Sequence, residues 1–172
     1  SSQSVGGSGL LVLGNVYNPQ LVIDDNANTG SSLVIDLGVL NASVWQRVGF
    51  NGTSTPNDTV RVMLENPGQV LSAALLASVQ LTTYQGTTPG DSLLVSNPAV
   101  HLKLLNGNKQ ALVEFVPTKQ FNMVEVKLKS GVAGALTAIN FNYAQRAIAQ
   151  PKVQAANASV CAGKSVVISV QN

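Results

Sequence analysis

Apolar and polar residues alternate with period two along most of this chain. That is the pattern of strands whose successive side chains face opposite ways. Val60, Val62 and Leu64 share one face of a predicted strand, set off by Arg61, Met63 and Glu65. Val124, Val126 and Leu128 oppose Glu125, Lys127 and Lys129. Val79, Leu81 and Thr83 alternate with Gln80, Thr82 and Tyr84, and Val100, Leu102 and Leu104 with His101, Lys103 and Leu105. Ile139, Phe141 and Tyr143 are expected on one face, with Asn140 and Asn142 on the other. Further strands are predicted over 32–36, 44–50, 92–95 and 111–116. Between them lie turn formers such as Asn51-Gly52-Thr53, Thr55-Pro56-Asn57-Asp58 and Asn106-Gly107-Asn108. Many short, half-buried strands at even spacing predict an all-β, antiparallel β-sandwich or jelly roll. Helix is expected only as a turn or two over 69–77 and in a glycine-weakened stretch, Gly131 to Leu136.

The alternation ends near Arg146, and Ala149-Gln150-Pro151-Lys152 breaks it. The predicted organisation is a sandwich over 1–147, a linker over 148–152, and one or two strands over 153–172. Those strands either open a following module or pair with a sheet edge, folding back on their own sandwich or, as Pro151 favours, adding to a neighbouring copy. The Ser/Gly-rich opening lacks the charged start of a signal peptide. The expectation is that a signal was removed or that the chain is a segment of something longer.

Composition narrows the function classes. The 172 residues are 45% hydrophobic and 10% charged, against about 25% charged in an average domain. The polar surface must therefore be built from Asn, Gln, Ser, Thr and Gly. Net charge is +2 with no basic run, so nucleic acid is not an expected partner. The most apolar stretch, Val70 to Val79, is about half of a membrane span, so membrane insertion is not expected. One cysteine, Cys161, makes no internal disulfide or zinc cage; a buried free thiol, or half of a pair completed beyond the chain, is expected. One histidine, His101, reads as a solvent-facing strand residue. Glu65, Glu114 and Glu125 read as ordinary solvent-face charges, so no hydrolase activity is expected. Trp45 reads as a core or sheet-face aromatic. Trp45, Tyr17 and Tyr84 are also the candidates for a sugar-stacking platform, which needs an exposed ring face.

Val16-Tyr17-Asn18-Pro19, Val22 to Leu33, Asp58 to Val62, Leu71 to Leu76, Tyr84 to Thr88, Phe121 to Leu128 and Tyr143 to Arg146, taken in order, together resemble β-sandwich modules of large adhesin-like surface proteins exported by the type IX route. The tail, with Val160-Cys161-Ala162-Gly163, looks like the opening of an immunoglobulin-like module. Asp24 to Thr29 is also similar to the early loop of discoidin-like sandwiches, which commonly binds Ca²⁺. That similarity implies Asp24, Asn26 and Thr29 as metal ligands. The tryptophan usual after the threonine is replaced by Ser31 and Ser32, and Ala138 stands near the position of a usual glutamate. With at most two carboxylates in the loop, Ca²⁺ is expected to bind weakly or not at all. The plain reading of these residues is an Asx-type turn. Asp58-Thr59-Val60 and Asp91-Ser92-Leu93 fit an Asp-Ser/Thr-aliphatic pattern, and the resemblance implies Thr59 and Ser92 as O-glycan acceptors; the plain reading is turn chemistry at a strand start.

These readings converge on a non-catalytic, extracellular module of an adhesin or fibre. The alternatives are a carbohydrate-binding module and a filament subunit assembled by strand addition. The expected partner is a surface glycan or protein, or another copy of the chain.

Overall fold

The computed structural model describes residues 2–8, 14–36, 42–130, 137–149, 152–155 and 168–171. The period-two segments become strands in chain order: β1 Ser2–Ser8, β2 Gly14–Tyr17, β3 Ser31–Ile35, β4 Ser43–Gly49, β5 Thr59–Glu65, β6 Val79–Gln85 and β7 Thr88–Leu94. They continue with β8 His101–Leu105, β9 Gln110–Phe115, β10 Met123–Lys129, β11 Thr137–Ala147, β12 Lys152–Ala155 and β13 Ile168–Gln171. Two antiparallel sheets pack face to face, so the fold is the expected all-β sandwich. One sheet has the order β1-β4-β10-β6-β7 and the other β2-β3-β11-β5-β9-β8. Among the described residues helix is limited to a 3-10 turn at Pro19–Ile23 and one α-helical turn, Ala73–Ala77, N-capped by Ser72. Gly131 to Leu136 lies outside the described residues.

The core is the apolar half of each alternation. Leu33, Val60, Val62, Leu64, Leu81, Val113, Val124, Val126, Leu128, Ile139 and Phe141 are buried between the sheets, each contributing about 1.5–3 kcal/mol of transfer free energy. The β8–β9 turn is set by Asn106, Gly107 and Asn108, all at positive φ, where Asn and Gly are the residues that tolerate it.

Four departures from the sequence pattern have physical causes. β1 and β2 are strands although their composition gives no alternation. β1 is held by backbone pairing with β4 along its whole length, and Trp45 lies against Gly6, where an added Cβ would stand 2.4 Å from Cζ2. That is the cover an edge glycine needs from a cross-strand aromatic. In β11 the pairing with β5 passes from Phe141–Leu64 to Tyr143–Met63, leaving Asn142 as a bulge. The bulge moves Tyr143 off the apolar face and brings Ala144 onto the core. Leu102 and Leu104 were expected in the core but are about two-fifths exposed. β8 is the outermost of six strands facing a sheet of five. Finally, Glu125 is not a solvent-face charge: it is buried, although its strand position points outward.

β12 and β13 pair with each other as an antiparallel two-stranded sheet, Lys152 opposite Gln171 and Ala155 opposite Ile168. The rest of the tail, Cys161 included, lies outside the described residues.

Candidate functional site

The Asp24–Thr29 segment leaves the 3-10 turn and enters β3. Its polar side chains bind one another's backbone. Asp24 Oδ1 accepts from the Asn26 N–H at 2.9 Å, and Asn26 Oδ1 accepts from the Asn28 N–H at 3.1 Å. Thr29 Oγ1 stands 2.7 Å from Asp24 Oδ2 and 2.9 Å from the Asn26 carbonyl, one proton between two acceptors. Asp25 takes positive φ (61°), which Asp tolerates at a turn. The three residues picked from sequence are thus brought together by Asx-type turn bonds. Among the described residues no group of three or more His, Cys, Asp or Glu is placed to hold a metal.

The loop is fixed from beneath by Gln46, which is fully buried between Val44 and Val48 on β4. Its Nε2 donates to the Pro19 carbonyl at 2.7 Å, and its Oε1 accepts from the Ser31 hydroxyl. One core side chain therefore holds both ends of the segment from Pro19 to Ser31. A glutamine in an apolar run reads as outward-facing, so sequence reasoning missed it. Here Gln46 faces in, and its neighbour Trp45 faces out.

Beside the loop lies a recess of about 140 Å³, lined by residues 22–27 and by Asn142, Tyr143, Ala144 and Gln145. The bulge places Asn142 there, buried. Its Nδ2 donates to Glu65 Oε2 at 3.0 Å and reaches the Ala27 carbonyl at 3.4 Å. Two acceptors on Nδ2 fix the orientation of the amide, and Oδ1 has no partner among the described residues. Asn142 was expected on the polar face of a regular strand. No sequence signal distinguishes a bulge asparagine from an alternating one.

The three aromatic candidates separate. Tyr17 ends β2, pairs with Ser32 just past the loop, and is 49% exposed. Trp45 and Tyr84 are on the outer face of the five-stranded sheet. The Arg47 guanidinium carbon lies 4.6 Å from the Trp45 ring centroid and 4.0 Å from that of Tyr84. Their rings therefore clasp an arginine. Arg47 Nε donates to Glu125 Oε2 at 2.7 Å, and the Tyr84 hydroxyl donates to the same oxygen at 3.3 Å. Lys127 Nζ is 3.2 Å from Oε1, an ion pair outside hydrogen-bond geometry. Burial alone would lower the Arg47 pKa. The hydrogen bond and charge of Glu125, with Tyr84 behind them, more than offset this and hold it above its ordinary value.

Thr59 and Ser92 each follow an anchoring aspartate. Asp58 accepts from the N–H of Thr55 at 2.8 Å and of Ala149 at 3.1 Å, and from the Thr55 hydroxyl at 2.9 Å. Asp91 accepts from the N–H and hydroxyl of Thr118 and the N–H of Lys119. Burial opposes ionisation of both. The donors, with the charge of Arg146 on Asp58 and of Lys119 on Asp91, outweigh it and hold both carboxyls below their ordinary value. Thr59 is half-buried at the start of β5, beside a recess of about 320 Å³. Ser92 is exposed and hydrogen-bonded to Gln80 and Thr82. His101 is exposed on β8, opposite Glu114, which pairs with Arg61. Glu65 and Glu114 lie on one sheet and Glu125 on the other.

No family profile, curated protein or solved structure matches this chain. Among the described residues no helix is long and apolar enough to cross a membrane.

Proposed function

We propose that the chain is a non-catalytic extracellular module of an adhesin or fibre, in which the sandwich presents its loop end to a ligand. The observation carrying this reading is the loop end itself: a turn locked by Gln46, a polar recess, and the half-exposed Tyr17 at the end of β2, paired with Ser32 just past the loop. The glutamates support the non-catalytic part. Glu114 is committed to Arg61 and Glu125 to Arg47 and Lys127, and Glu65 binds Asn142. Glycoside hydrolysis needs two carboxyls about 5–10 Å apart across one cleft, and Glu125 lies on a different sheet from the other two.

Within this reading a carbohydrate is the favoured ligand. An exposed tyrosine and a recess whose Asp24, Asp25, Asn26 and Asn142 offer hydrogen-bonding groups suit sugar rings and hydroxyls. A glycan array probed with and without Ca²⁺ tests it. Binding that persists without Ca²⁺ is the expected result, and silence in both conditions refutes the carbohydrate ligand.

A further inference from the structure

The outer face of the five-stranded sheet holds a charged assembly that the loop-end function does not use. Strand register builds it. Gly6, Trp45, Lys127, Gln80 and Leu94 form one row across the sheet. Ser4, Arg47, Glu125, Thr82 and Ser92 form the next. Lys129 extends β10 one position further along the same face. Arg47, Lys127 and Lys129 against Glu125 leave the face with a net charge of +2, equal to that of the whole chain.

Stability does not call for this arrangement. Burying a carboxylate under two cations carries a desolvation cost that their attraction only just repays, and well-packed apolar residues do as well or better. The triad does fix positions: Arg47 is clasped by two rings and Lys127 is held by Glu125. Beside them lies a shallow recess of about 330 Å³, lined by Ala42, Ser43, Gln80, Lys127, Lys129 and Ser130. Its lining holds two ammonium groups, an amide and two hydroxyls, and no carboxylate.

From this we infer that the outer face of the β1-β4-β10-β6-β7 sheet binds an anionic polysaccharide, whose carboxylates or sulfates alternate with hydroxyls. The anionic groups meet Lys127 and Lys129. The sugar hydroxyls meet Gln80 and the exposed Ser92, which are hydrogen-bonded to each other across the two rows. A second copy of the chain does not fit, because two faces of the same sign repel. Single-stranded nucleic acid fits less well. It needs open aromatic faces for its bases, and Arg47 covers those of Trp45 and Tyr84.

The test is retention of the intact chain on immobilised heparin and polygalacturonate, with dextran and single-stranded DNA as comparison matrices. Retention on the two anionic glycans, absent on dextran and weakened as salt rises, is expected. Lys127→Gln/Lys129→Gln should lower affinity about five- to tenfold. Lys129→Gln alone, on an exposed side chain, should lower it about twofold and covers the case in which loss of Lys127 disturbs Glu125. Lys103→Gln, on the other sheet, should leave retention unchanged. Stronger retention on DNA, equal retention on dextran, no effect of Lys129→Gln, or an equal effect of Lys103→Gln each overturns the inference.

Discussion

The Asp24 loop and the Arg47–Glu125 cluster are both polar assemblies on one sandwich, built in opposite ways. In the loop, side chains bond to backbone and side-chain groups two to five residues away, and most of them are exposed. In the cluster, β4, β6 and β10 bring together residues 41 and 78 positions apart around a buried carboxylate. The loop's bonds can form wherever the segment turns, whereas the cluster's exist only once the sheet is complete. The contrast sets what each depends on: the loop on its own short segment, and the cluster on the completed five-stranded sheet.

The largest expected effect follows from that contrast. Glu125→Ala removes the shared counter-charge of Arg47 and Lys127, for which loss of one buried partner costs about 3–5 kcal/mol. Both cations are more than a quarter exposed and can turn towards water, so about 3 kcal/mol is expected. It would appear in urea unfolding as a lowered midpoint at unchanged slope. Asp24→Ala in the same assay should cost less than about 1 kcal/mol. Equal losses would erase the distinction.

Next in size is the link beneath the loop. Gln46→Ala leaves the Pro19 carbonyl without its partner and the Ser31 hydroxyl with only the Phe141 carbonyl at 3.4 Å, at about 1–3 kcal/mol. Hydrogen exchange should quicken over residues 21–29 and stay slow in β10. Uniform quickening would show that Gln46 supports the whole core and not the loop.

A smaller effect comes from Asp58 and Asp91. Both carboxyls lie below their ordinary value in the folded chain, so the unfolded chain takes up protons first as pH falls. Their contribution is complete above about pH 5 and is lost as pH drops through the ordinary value, 3.8, towards the depressed folded ones. Asp58→Asn should flatten that acid limb of the stability curve. An unchanged limb would mean that other groups dominate it.

The smallest expected signal is that of Ca²⁺. Asp24 already spends both oxygens inside the loop, so calorimetry should show no binding in the micromolar range. Micromolar binding lost in Asp24→Ala would contradict this, and would recruit the unpartnered Asn142 Oδ1 as a ligand atom.

The fold class and most strands were legible because period-two burial is written directly into segments such as Val60 to Glu65 and Val124 to Lys129. The Asp24 turn was legible because its bonds are local. What escaped depends on pairing between distant segments. β1 is a strand through its ladder with β4, and Asn142 is buried by a register shift against β5. Glu125 is covered by Arg47, Lys127 and Tyr84 from the same or neighbouring strands. Leu102 and Leu104 lost their cover because one sheet has a strand more than the other, which alternation within β8 cannot reveal.

The reading of the loop end as a non-catalytic ligand site comes down to Tyr17. Glycans found on an array should be titrated onto the intact chain and onto Tyr17→Ala, with the recovered sugars checked for cleavage. The expected result is reversible binding, weakened about five- to tenfold by Tyr17→Ala, with every glycan recovered intact. Binding indifferent to Tyr17, or release of new reducing ends, would contradict it.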